Sequence, residues 1–362
     1  MSLCLDSILL YQFKNYFDQQ FEFTEHIVGI CGKNGMGKTN LLDAIHYLCF
    51  TKSYFTRHDH LVTQHGREGF RLEGNLTRNG EEEKAVCVLR ENGRKEFSVN
   101  DDKYLKFSKH IGRYPCVVIA PDDVQLIIGG SEERRKFIDT LLSQLDAAYL
   151  QHLINYTRIL QQRNSFLRAY SNGYAIKDLV VLDILDEQLA AEGNKLFEKR
   201  REFSLQFLPV IKNIYNDISQ QYEPVAFLYE SELLDANMAE LLHYNRQKDL
   251  MLQRTTSGIH RDDLVLSLGE QLFKVTASQG QRKSLLFALK LAEMGIIKSE
   301  KKFSPLLLLD DVFEKLDEAR INNLLIRICE DDEAQIFITD TNCNRLQQQL
   351  DVLEKPYQLI EL

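Results

Sequence analysis

The chain has 362 residues, 44% of them hydrophobic and 27% charged, with a formal net charge of −9 at neutral pH. This composition is typical of a soluble globular protein with one large domain or two, and it excludes a fibrous or disordered chain. The negative charge argues against indiscriminate coating of nucleic acid, because affinity for phosphate backbones comes largely from Lys and Arg, so a role on DNA requires a locally basic face.

The first residues, MSLCLDSILLYQF, lack a basic start and a small-residue cleavage site, so they predict a strand and not a signal peptide. The sequence has no run of 18 apolar residues, and we therefore expect no membrane span. Its seven cysteines are scattered singly without metal-ligand spacing, and an odd number of them favours free thiols in a reducing cytoplasm. The sequence thus predicts a cytoplasmic protein.

A strand, a glycine loop and a helix follow one another near the N-terminus. Residues 3–10 and 26–31 are rich in Ile, Leu and Val and predict strands, the second leading directly into GKNGMGKTN at 32–40. Beyond the loop, apolar residues from Leu41 to Leu48 recur at helical spacing. The loop fits the pattern G-x-x-x-x-G-K-[ST], which is specific for phosphate binding in this context.

The loop predicts how a nucleotide and Mg²⁺ are held. Its glycines allow backbone N–H groups to surround a β-phosphate, Lys38 reaches the β and γ oxygens, and Thr39 gives its hydroxyl to Mg²⁺. The predicted nucleotide-binding residues of the loop are Gly32, Lys33, Asn34, Gly35, Met36, Gly37, Lys38, Thr39 and Asn40.

The middle of the chain changes from strands to helices. From Phe70 to Asn100, short β-rich runs are separated by two Asn-Gly pairs that favour hairpins, and a buried strand follows at 116–120. From Ser131, the expected N-cap, to about Tyr222 the apolar spacing is helical. A break at 171–174 predicts an antiparallel helical hairpin.

After residue 255 the strand patterns return, in LVLSL, LFKVT, PLLLLDD and QIFITD. The helical segment is therefore inserted between two halves of one nucleotide-binding head. We expect the head to comprise residues 1–130 and 251–362, and the helical arm to comprise residues 131–250.

Two acidic residues follow a buried strand in PLLLLDDVFEKLD, at 305–317. Asp310 lies at the carboxyl end of this strand, where α/β sheets bind ligands, so its carboxylate can hold the Mg²⁺ shell. Asp311 is placed to polarise an attacking water as a general base, and the alternative is an aspartate that caps the next helix.

A second helix start occurs in ASQGQRK, at 277–283. Ser278 and Gly280 open a helix with an apolar face, so free backbone N–H groups point outward there. By itself, Ser-Gln-Gly-Gln favours a plain N-cap.

Together, the order of these motifs resembles the ATP-binding-cassette ATPases, in which two heads sandwich ATP and the loop of one faces the signature motif of the other. Ser278 to Gln281 stand in the place of that signature. Nearly end to end, the chain resembles the RecF family of bacterial recombination mediators. The strings that carry this resemblance are FKNY at 13–16, GKNGMGKTNLLDAI at 32–45, PDDVQLIIGGSEERRKFID at 121–139, GIHRDDL at 258–264, ASQGQRK at 277–283 and LLLLDDVFEKLD at 306–317.

The resemblance implies an α/β fold: an ABC-type P-loop ATPase head with an antiparallel β subdomain and an inserted helical arm domain. It implies ATP and Mg²⁺ as cofactors and a weak, DNA-stimulated ATPase. The ATP-bound homodimer would bind double-stranded and gapped DNA. With mediators of the RecR and RecO type, it would load recombinase onto single-stranded DNA.

The resemblance also assigns roles by position. The catalytic residues would be Lys38, Asp310, Asp311, Ser278 and Asp340. Ser278, Gly280 and Gln281 would contact the γ-phosphate bound by the partner subunit. Gln125, or the neighbouring Asp122 or Asp123, would sense the metal; the family pattern Pro-Glu-Asp-Leu is Pro-Asp-Asp-Val here, at 121–124. Asp340 stands where transporter heads have a switch histidine, and we therefore expect slow hydrolysis.

Several alternatives stay open. The basic clusters at 134–136 and 199–201 would contact DNA phosphates or form solvated helix faces, and the 134–135 pair would otherwise serve the interior of the head. His260 to Asp263 favour a structural charge network over a catalytic set. An ABC-type subunit coupled to a transporter is the alternative function, against which the helical insert and the missing histidine argue. A chromosome-organising protein would need a long coiled coil, and a small-molecule kinase leaves Ser278 to Gln281 without a purpose.

Overall fold

The computed structural model describes residues 2–171, 179–219, 223–312, 325–329 and 333–362. The chain divides into two compact units, the first comprising residues 1–123 and 286–362 and the second residues 124–285. This division differs from the expected boundary at 251, because residues 251–285 cluster with the helical part of the chain.

An antiparallel sheet forms one layer of the first unit, and it confirms the predicted meander. Asn79 and Gly80 have φ of 56° and 83°, as a type I′ hairpin requires. At the second predicted turn only Gly93 has positive φ, and the loop is longer, spanning residues 90–94. The strand order among the described residues is β2 (Tyr16–Glu22), β1 (Leu3–Phe13), β4 (Phe70–Arg78), β5 (Glu81–Leu89), β6 (Lys95–Val99) and β7 (Asp102–Lys103).

A parallel sheet forms the other layer of the first unit. The four leucines of its strand at 306–309 are at most 1% exposed, as expected for a strand covered on both faces. Its order in the described part of the chain is β14 (Tyr357–Glu361), β3 (Ile27–Cys31), β13 (Ile336–Asp340), β12 (Leu306–Leu309) and β8 (Cys116–Ile119). Because β3, β13 and β12 are parallel neighbours, the residues that follow them meet at one edge.

Helix α1 (Lys38–Phe50) follows the phosphate loop and packs against strands of both sheets. Its predicted apolar face is confirmed, since Leu41, Leu42, Ile45 and Leu48 are all buried. The loop is therefore anchored at both ends by buried elements, β3 before it and α1 after it.

Cys31 and Cys343 form a disulfide with their Cα atoms 5.1 Å apart, so the expectation that every thiol is free is wrong for this pair. Cys31 ends β3, and Cys343 is the first residue of the C-terminal helix at Cys343–Asp351, which packs on β3. The sequence did not reveal the pair because its members are 312 positions apart.

The second unit combines helices with a small antiparallel sheet. Helix α3 begins at Ser131, but its N-cap is Gly130 without a side-chain hydrogen bond, so the predicted cap is displaced by one residue. The helices are α2 (Gln125–Ile128), α3 (Ser131–Leu145), α4 (Ala147–Ser171), α5 (Val180–Ser219), α6 (Met238–Leu252) and α7 (Phe273–Thr276). The boundary between the units falls within α8 (Gln279–Lys301). The sheet order is β11 (Gln271–Leu272), β10 (Asp263–Leu268) and β9 (Val225–Glu230).

Helices α4 and α5 run antiparallel, as predicted. Tyr149 contacts Arg200 at 3.1 Å, His152 contacts Glu192 at 2.7 Å, and Arg163 contacts Asp186 at 2.6 Å. Residues later in α4 therefore contact residues earlier in α5. Most of the predicted break at 171–174 lies outside the described residues. The 40 residues of α5 span about 60 Å, which is a short arm and not a long coiled coil.

The strand predicted for LFKVT is wrong beyond its first residue, because Phe273 to Thr276 form the helical turn α7. The helical turn places Phe273 and Ala277, four residues apart, on one face where both are buried. Tertiary burial here outweighs the β preference of Phe, Val and Thr. None of the described helices is both long and apolar enough to cross a bilayer.

Candidate nucleotide site

The phosphate loop has the backbone that its glycines predict. Gly35 and Gly37 have φ of 86° and 118°, a region that other residues rarely adopt. A Cβ on Gly37 would also lie 2.6 Å from Nδ2 of Asn15 and 2.7 Å from the hydroxyl of Tyr16. Position 37 is therefore restricted to glycine both by its backbone and by its neighbours.

Lys38 is held over the loop by the loop's own backbone. Its side chain is buried, and Nζ donates to the carbonyl oxygen of Gly32 at 2.8 Å and to that of Lys33 at 3.3 Å. The ammonium group thus lies where the loop would enclose phosphate oxygens, which is the role predicted for it.

Thr39 and Asp310 are brought together as predicted. The Thr39 hydroxyl donates to the Asp310 carboxylate, with distances of 2.9 and 3.0 Å to its two oxygens, and Thr339 donates to the same carboxylate at 2.9 Å. The pKa of Asp310 is raised, because burial outweighs the opposing effects. The two hydroxyl donors and the positive charges of Lys38 and Lys14 act to lower it. A bound cation would further favour the ionised carboxylate.

These donors fit Mg²⁺, which prefers hydroxyl, carboxylate and phosphate oxygens. In the part of the chain that the structure describes, no three His, Cys, Asp or Glu side chains cluster to hold a metal alone. A Mg²⁺ ion at Thr39 and Asp310 would therefore complete its shell with phosphate oxygens and water, as it commonly does in ATPases.

Asp311 adopts a left-handed backbone, with φ of 45°, and its N–H donates to the Thr339 hydroxyl at 2.9 Å. Thr339 therefore orients both acidic residues at the end of β12, a role that no motif in the sequence indicates. The alternative of a helix cap concerns residues 313–324, which lie outside the described residues.

Asp340 is buried and engaged by the residues that follow it. Its carboxylate accepts two hydrogen bonds from Arg345, at 2.8 and 2.6 Å, and one from the Asn342 N–H at 2.8 Å. Its carbonyl accepts a bond from the Gly32 N–H at 3.3 Å. Asp340 thus ties the end of β13 to the base of the phosphate loop.

The predicted metal sensors differ in their surroundings. Asp123 is in the first unit, where its carboxylate accepts hydrogen bonds from the Tyr54 hydroxyl and from the Ala120 N–H at 2.9 Å. Asp122 is exposed. Gln125 belongs to the second unit, where it is exposed and begins α2.

Ser278, Gly280 and Gln281 also lie in the second unit. The Ser278 hydroxyl accepts from the Gln281 N–H at 3.2 Å, and the Gln281 side chain accepts from the Ser278 N–H at 2.8 Å. This reciprocal pair is a capping box, so the local interpretation as an N-cap is confirmed. Ser278 is exposed, and a hydroxyl that accepts one bond can still donate another.

Each basic cluster contains one arginine with a structural role. Arg134 is 7% exposed and bound to Asp263 at 2.7 and 2.9 Å, and Arg200 is 2% exposed and bound to Asp139 and Asp262 at 2.8 Å each. These contacts confirm that the acidic residues of GIHRDDL belong to a charge network. They also remove Arg200 from the set of residues available to DNA.

The chain matches a family model over residues 4–358, and that family is described as the RecF/RecN/SMC N terminal domain. It is 39% identical over 358 residues to the DNA replication and repair protein RecF of Flavobacterium johnsoniae, with 99% of each chain covered. It is 38% identical over 360 residues to the protein of the same name from Parabacteroides distasonis, with 99% of this chain and 97% of the relative covered.

Solved structures agree with these relatives. Two structures of the recombination mediator protein RecF in the RecFOR pathway, one with ATPrS and one with ATP, superpose with TM-scores of 0.86 and 0.85 at 28% and 29% identity. They cover 94% and 96% of this chain, and this chain covers 93% and 95% of theirs. An Smc head domain from Pyrococcus furiosus, at 15% identity and a TM-score of 0.53, shares the fold.

Proposed function

The chain belongs to the RecF family of DNA replication and repair proteins, and on that premise we propose that it is an ATP-dependent, DNA-binding recombination mediator. The observation that carries the proposal is the contact between Thr39 and Asp310, which joins a complete phosphate loop to the acidic end of β12. The membership argues against the alternative of a transporter subunit.

We assign ATP binding and hydrolysis to residues of the first unit. Lys38 would bind the β- and γ-phosphates, Thr39 and Asp310 would hold Mg²⁺, and Asp311 would orient the attacking water. Bound Mg²⁺ would neutralise charge on the phosphates during transfer. Asp340 is held by Arg345, and its carbonyl accepts a hydrogen bond from the Gly32 N–H. In this proposal Asp340 acts by keeping the end of β13 beside the phosphate loop.

Hydrolysis is proposed to be weak and stimulated by DNA, as suits a switch. The position of a transporter's switch histidine is occupied by Asp340, whose carboxylate is engaged by Arg345 and by the Asn342 N–H. No imidazole at that position is available to orient water, so we assign the orientation of the attacking water to Asp311.

A second copy of the chain would complete each site. The exposed Ser278, with Gly280 and Gln281, begins a 23-residue helix, and a helix N-terminus attracts anions. In this proposal the Ser278 hydroxyl donates to the γ-phosphate held by the other copy, so ATP joins two heads. Gln125, or the neighbouring Asp122 or Asp123, would sense the metal.

The DNA and protein partners follow from the family. The two RecF structures are assigned by name to the RecFOR pathway, so we propose RecR-type and RecO-type mediators as partners, double-stranded and single-stranded DNA as ligands, and the cytoplasm as location. Residues 1–130 and 251–362 would serve as the ATPase head and residues 131–250 as the arm.

Light scattering with and without ATP tests the proposal. The wild type should change from monomer to dimer when ATP and Mg²⁺ are added, whereas Ser278→Arg should bind ATP and stay monomeric. Gln271→Arg is the matched control, because it adds the same charge at an exposed site of the same unit. Dimerisation of Ser278→Arg, or a wild type that ATP leaves monomeric, would count against the ATP-joined dimer.

A further inference from the structure

The motif FKNY at 13–16 takes no part in the proposed roles of Lys38, Thr39 and Asp310. Its residues form the tight turn between β1 and β2, in which Phe13 pairs with Tyr16 across a two-residue loop. We call Lys14, Asn15 and Tyr16 the brace. All three lie in the first unit, as do the phosphate loop and α1.

Two brace residues donate to successive carbonyl groups of the phosphate loop. Nδ2 of Asn15 donates to the Met36 carbonyl at 3.0 Å, and the Tyr16 hydroxyl donates to the Gly37 carbonyl at 3.1 Å. Tyr16 is 8% exposed, and burial raises its pKa, so it remains a neutral donor.

These contacts address a general requirement of phosphate loops. A loop that turns its N–H groups toward an anion must turn carbonyl groups away from it, and carbonyl groups directed into the protein need hydrogen-bond donors. Asn15 supplies such a donor to the Met36 carbonyl. The Gly37 carbonyl accepts from the Leu41 N–H at 2.9 Å, and Tyr16 adds a second donor to it.

The brace also contacts the helix that follows the loop. Nδ2 of Asn40 donates to Oδ1 of Asn15 at 2.7 Å. Nζ of Lys14 lies 2.5 Å from Oδ2 of Asp43, one turn further along α1, and Asp43 is fully buried. The brace therefore contacts the phosphate loop and the first two turns of α1.

We propose that Asn15 and Tyr16 are positioning residues for nucleotide binding, which hold the carbonyl groups of Met36 and Gly37 and so keep the N–H groups of the phosphate loop available to phosphate. The inference rests on the proposed binding of ATP at GKNGMGKTN. It is distinct from a packing role, because the effect depends on the donors and not on the volume of the side chains.

Tyr16→Phe isolates the first donor. A single hydrogen bond contributes about 1 kcal/mol, so the affinity for a fluorescent ATP analogue should fall about fivefold. Tyr114→Phe is the matched control, since Tyr114 is a fully buried tyrosine of the same unit whose hydroxyl donates to Glu83 at 2.6 Å. The control should lower the unfolding midpoint but leave the ATP affinity within twofold of wild type.

Asn15→Asp tests the second donor without changing the shape of the side chain. The aspartate can still accept from Asn40, but it replaces the donor to Met36 with a second acceptor, so ATP affinity should fall at least as far as in Asn15→Ala. Asn15→Leu, which is uncharged and of similar shape, separates loss of the donor from the added negative charge and should also lower the affinity. A side chain that only filled space would make Asn15→Leu resemble the wild type.

The possible outcomes separate the two proposals. If the wild type does not bind the ATP analogue, the proposed function fails. If the wild type binds and both Tyr16→Phe and Asn15→Asp bind equally well, the positioning role alone is overturned. If the two variants lower the unfolding midpoint as Tyr114→Phe does and keep wild-type affinity, the brace is a packing element and the inference is wrong.

Discussion

The Thr39 hydroxyl lies 2.9 Å from Oδ1 of Asp310, although the two residues are 271 positions apart in the chain. The contact joins the first turn of α1 to the residue that follows β12. The fold therefore brings together the two side chains that we propose as ligands of Mg²⁺.

Asp310→Asn should slow ATP hydrolysis strongly while leaving the fold intact. The amide keeps the shape of the carboxylate but loses the charge that holds the metal, and removing one group that stabilises charge in a transition state typically slows a reaction on the order of 10²-fold. Phosphate release with and without Mg²⁺ measures the effect. Asp102→Asn, which alters an exposed carboxylate of the same unit, should release phosphate at the wild-type rate. Turnover near wild type in Asp310→Asn would contradict the assignment.

Arg200→Ala should destabilise the second unit strongly. Arg200 is buried between Asp139 and Asp262, and it also donates to the Ile259 carbonyl at 2.8 Å. Removing one partner of a buried ion pair costs about 3–5 kcal/mol, because the remaining charges lose their counterion.

The adjacent residue supplies the control for this change. Arg201 is 50% exposed and pairs with Glu198 on its own helix, so Arg201→Ala should change stability by less than about 1 kcal/mol. Urea unfolding followed by circular dichroism compares the two variants. Equal midpoints for Arg200→Ala and Arg201→Ala would show that the buried pairs contribute little.

The contrast between Arg200 and the phosphate loop shows which features the sequence could predict. The phosphate loop, the strand before it and the helix after it are contiguous in the chain, so one short stretch of sequence is enough to predict their chemistry. Lys199, Arg200 and Arg201 look alike in sequence, and their difference depends on Asp139 and Asp262, about 60 positions away in either direction. Such contacts are set by the packing of helices and not by local spacing.

The same reasoning explains the other differences. The disulfide between Cys31 and Cys343 depends on the adjacency of β3 and β13, which only the sheet order establishes. In the sequence Thr339 is an ordinary strand residue, and its contact with Asp310 depends on the pairing of β13 with β12. The order of motifs nevertheless predicted the fold class, because the phosphate loop and the pair Asp310 and Asp311 each follow a strand of the parallel sheet.

His110 should make the first unit sensitive to acid. Its ring is fully buried, Nε2 donates to the Leu48 carbonyl at 2.8 Å, and Nδ1 has no hydrogen-bond partner among the described residues. Burial lowers the pKa of His110 to about 4. Because an unfolded histidine has a pKa near 6.5, the unfolded chain takes up the proton first as the pH falls. The contribution of neutral His110 to the free energy of unfolding is therefore fully present above about pH 6.5. It is lost progressively between about pH 6.5 and pH 4.

His110→Gln should reduce that decline. The linkage amounts to about 2 kcal/mol at pH 5, so the urea midpoint of the wild type should fall more between pH 7.5 and pH 5 than that of the variant. His65→Gln, at an exposed histidine of the same unit, should keep the pH dependence of the wild type. A pH dependence shared by all three proteins would exclude His110 as its source.

The exposed residues beside Arg200 remain candidates for DNA contact. Lys199 and Arg201 are 54% and 50% exposed, and their ion pairs with Asp146 and Glu198 are 3.4 Å long and solvent-screened. Phosphate contacts release counterions, with a salt slope of about 0.9 per contact on duplex DNA. The double change Lys199→Glu and Arg201→Glu should therefore weaken DNA binding and reduce the slope by about 2, while the intact Arg200 preserves the fold.

The control for this experiment carries the same change in net charge. Lys248→Glu with Arg254→Glu reverses two exposed basic residues of the same unit, at the end of α6 and just beyond it. If only the change on α5 alters the slope, that face of the helix contacts phosphates. If both double variants lower the affinity equally and leave the slope unchanged, the effect is one of overall charge, and Lys199 and Arg201 are not contacts. Titrating labelled duplex at several salt concentrations decides between these results, since a lost contact changes the slope and a general field changes mainly the intercept.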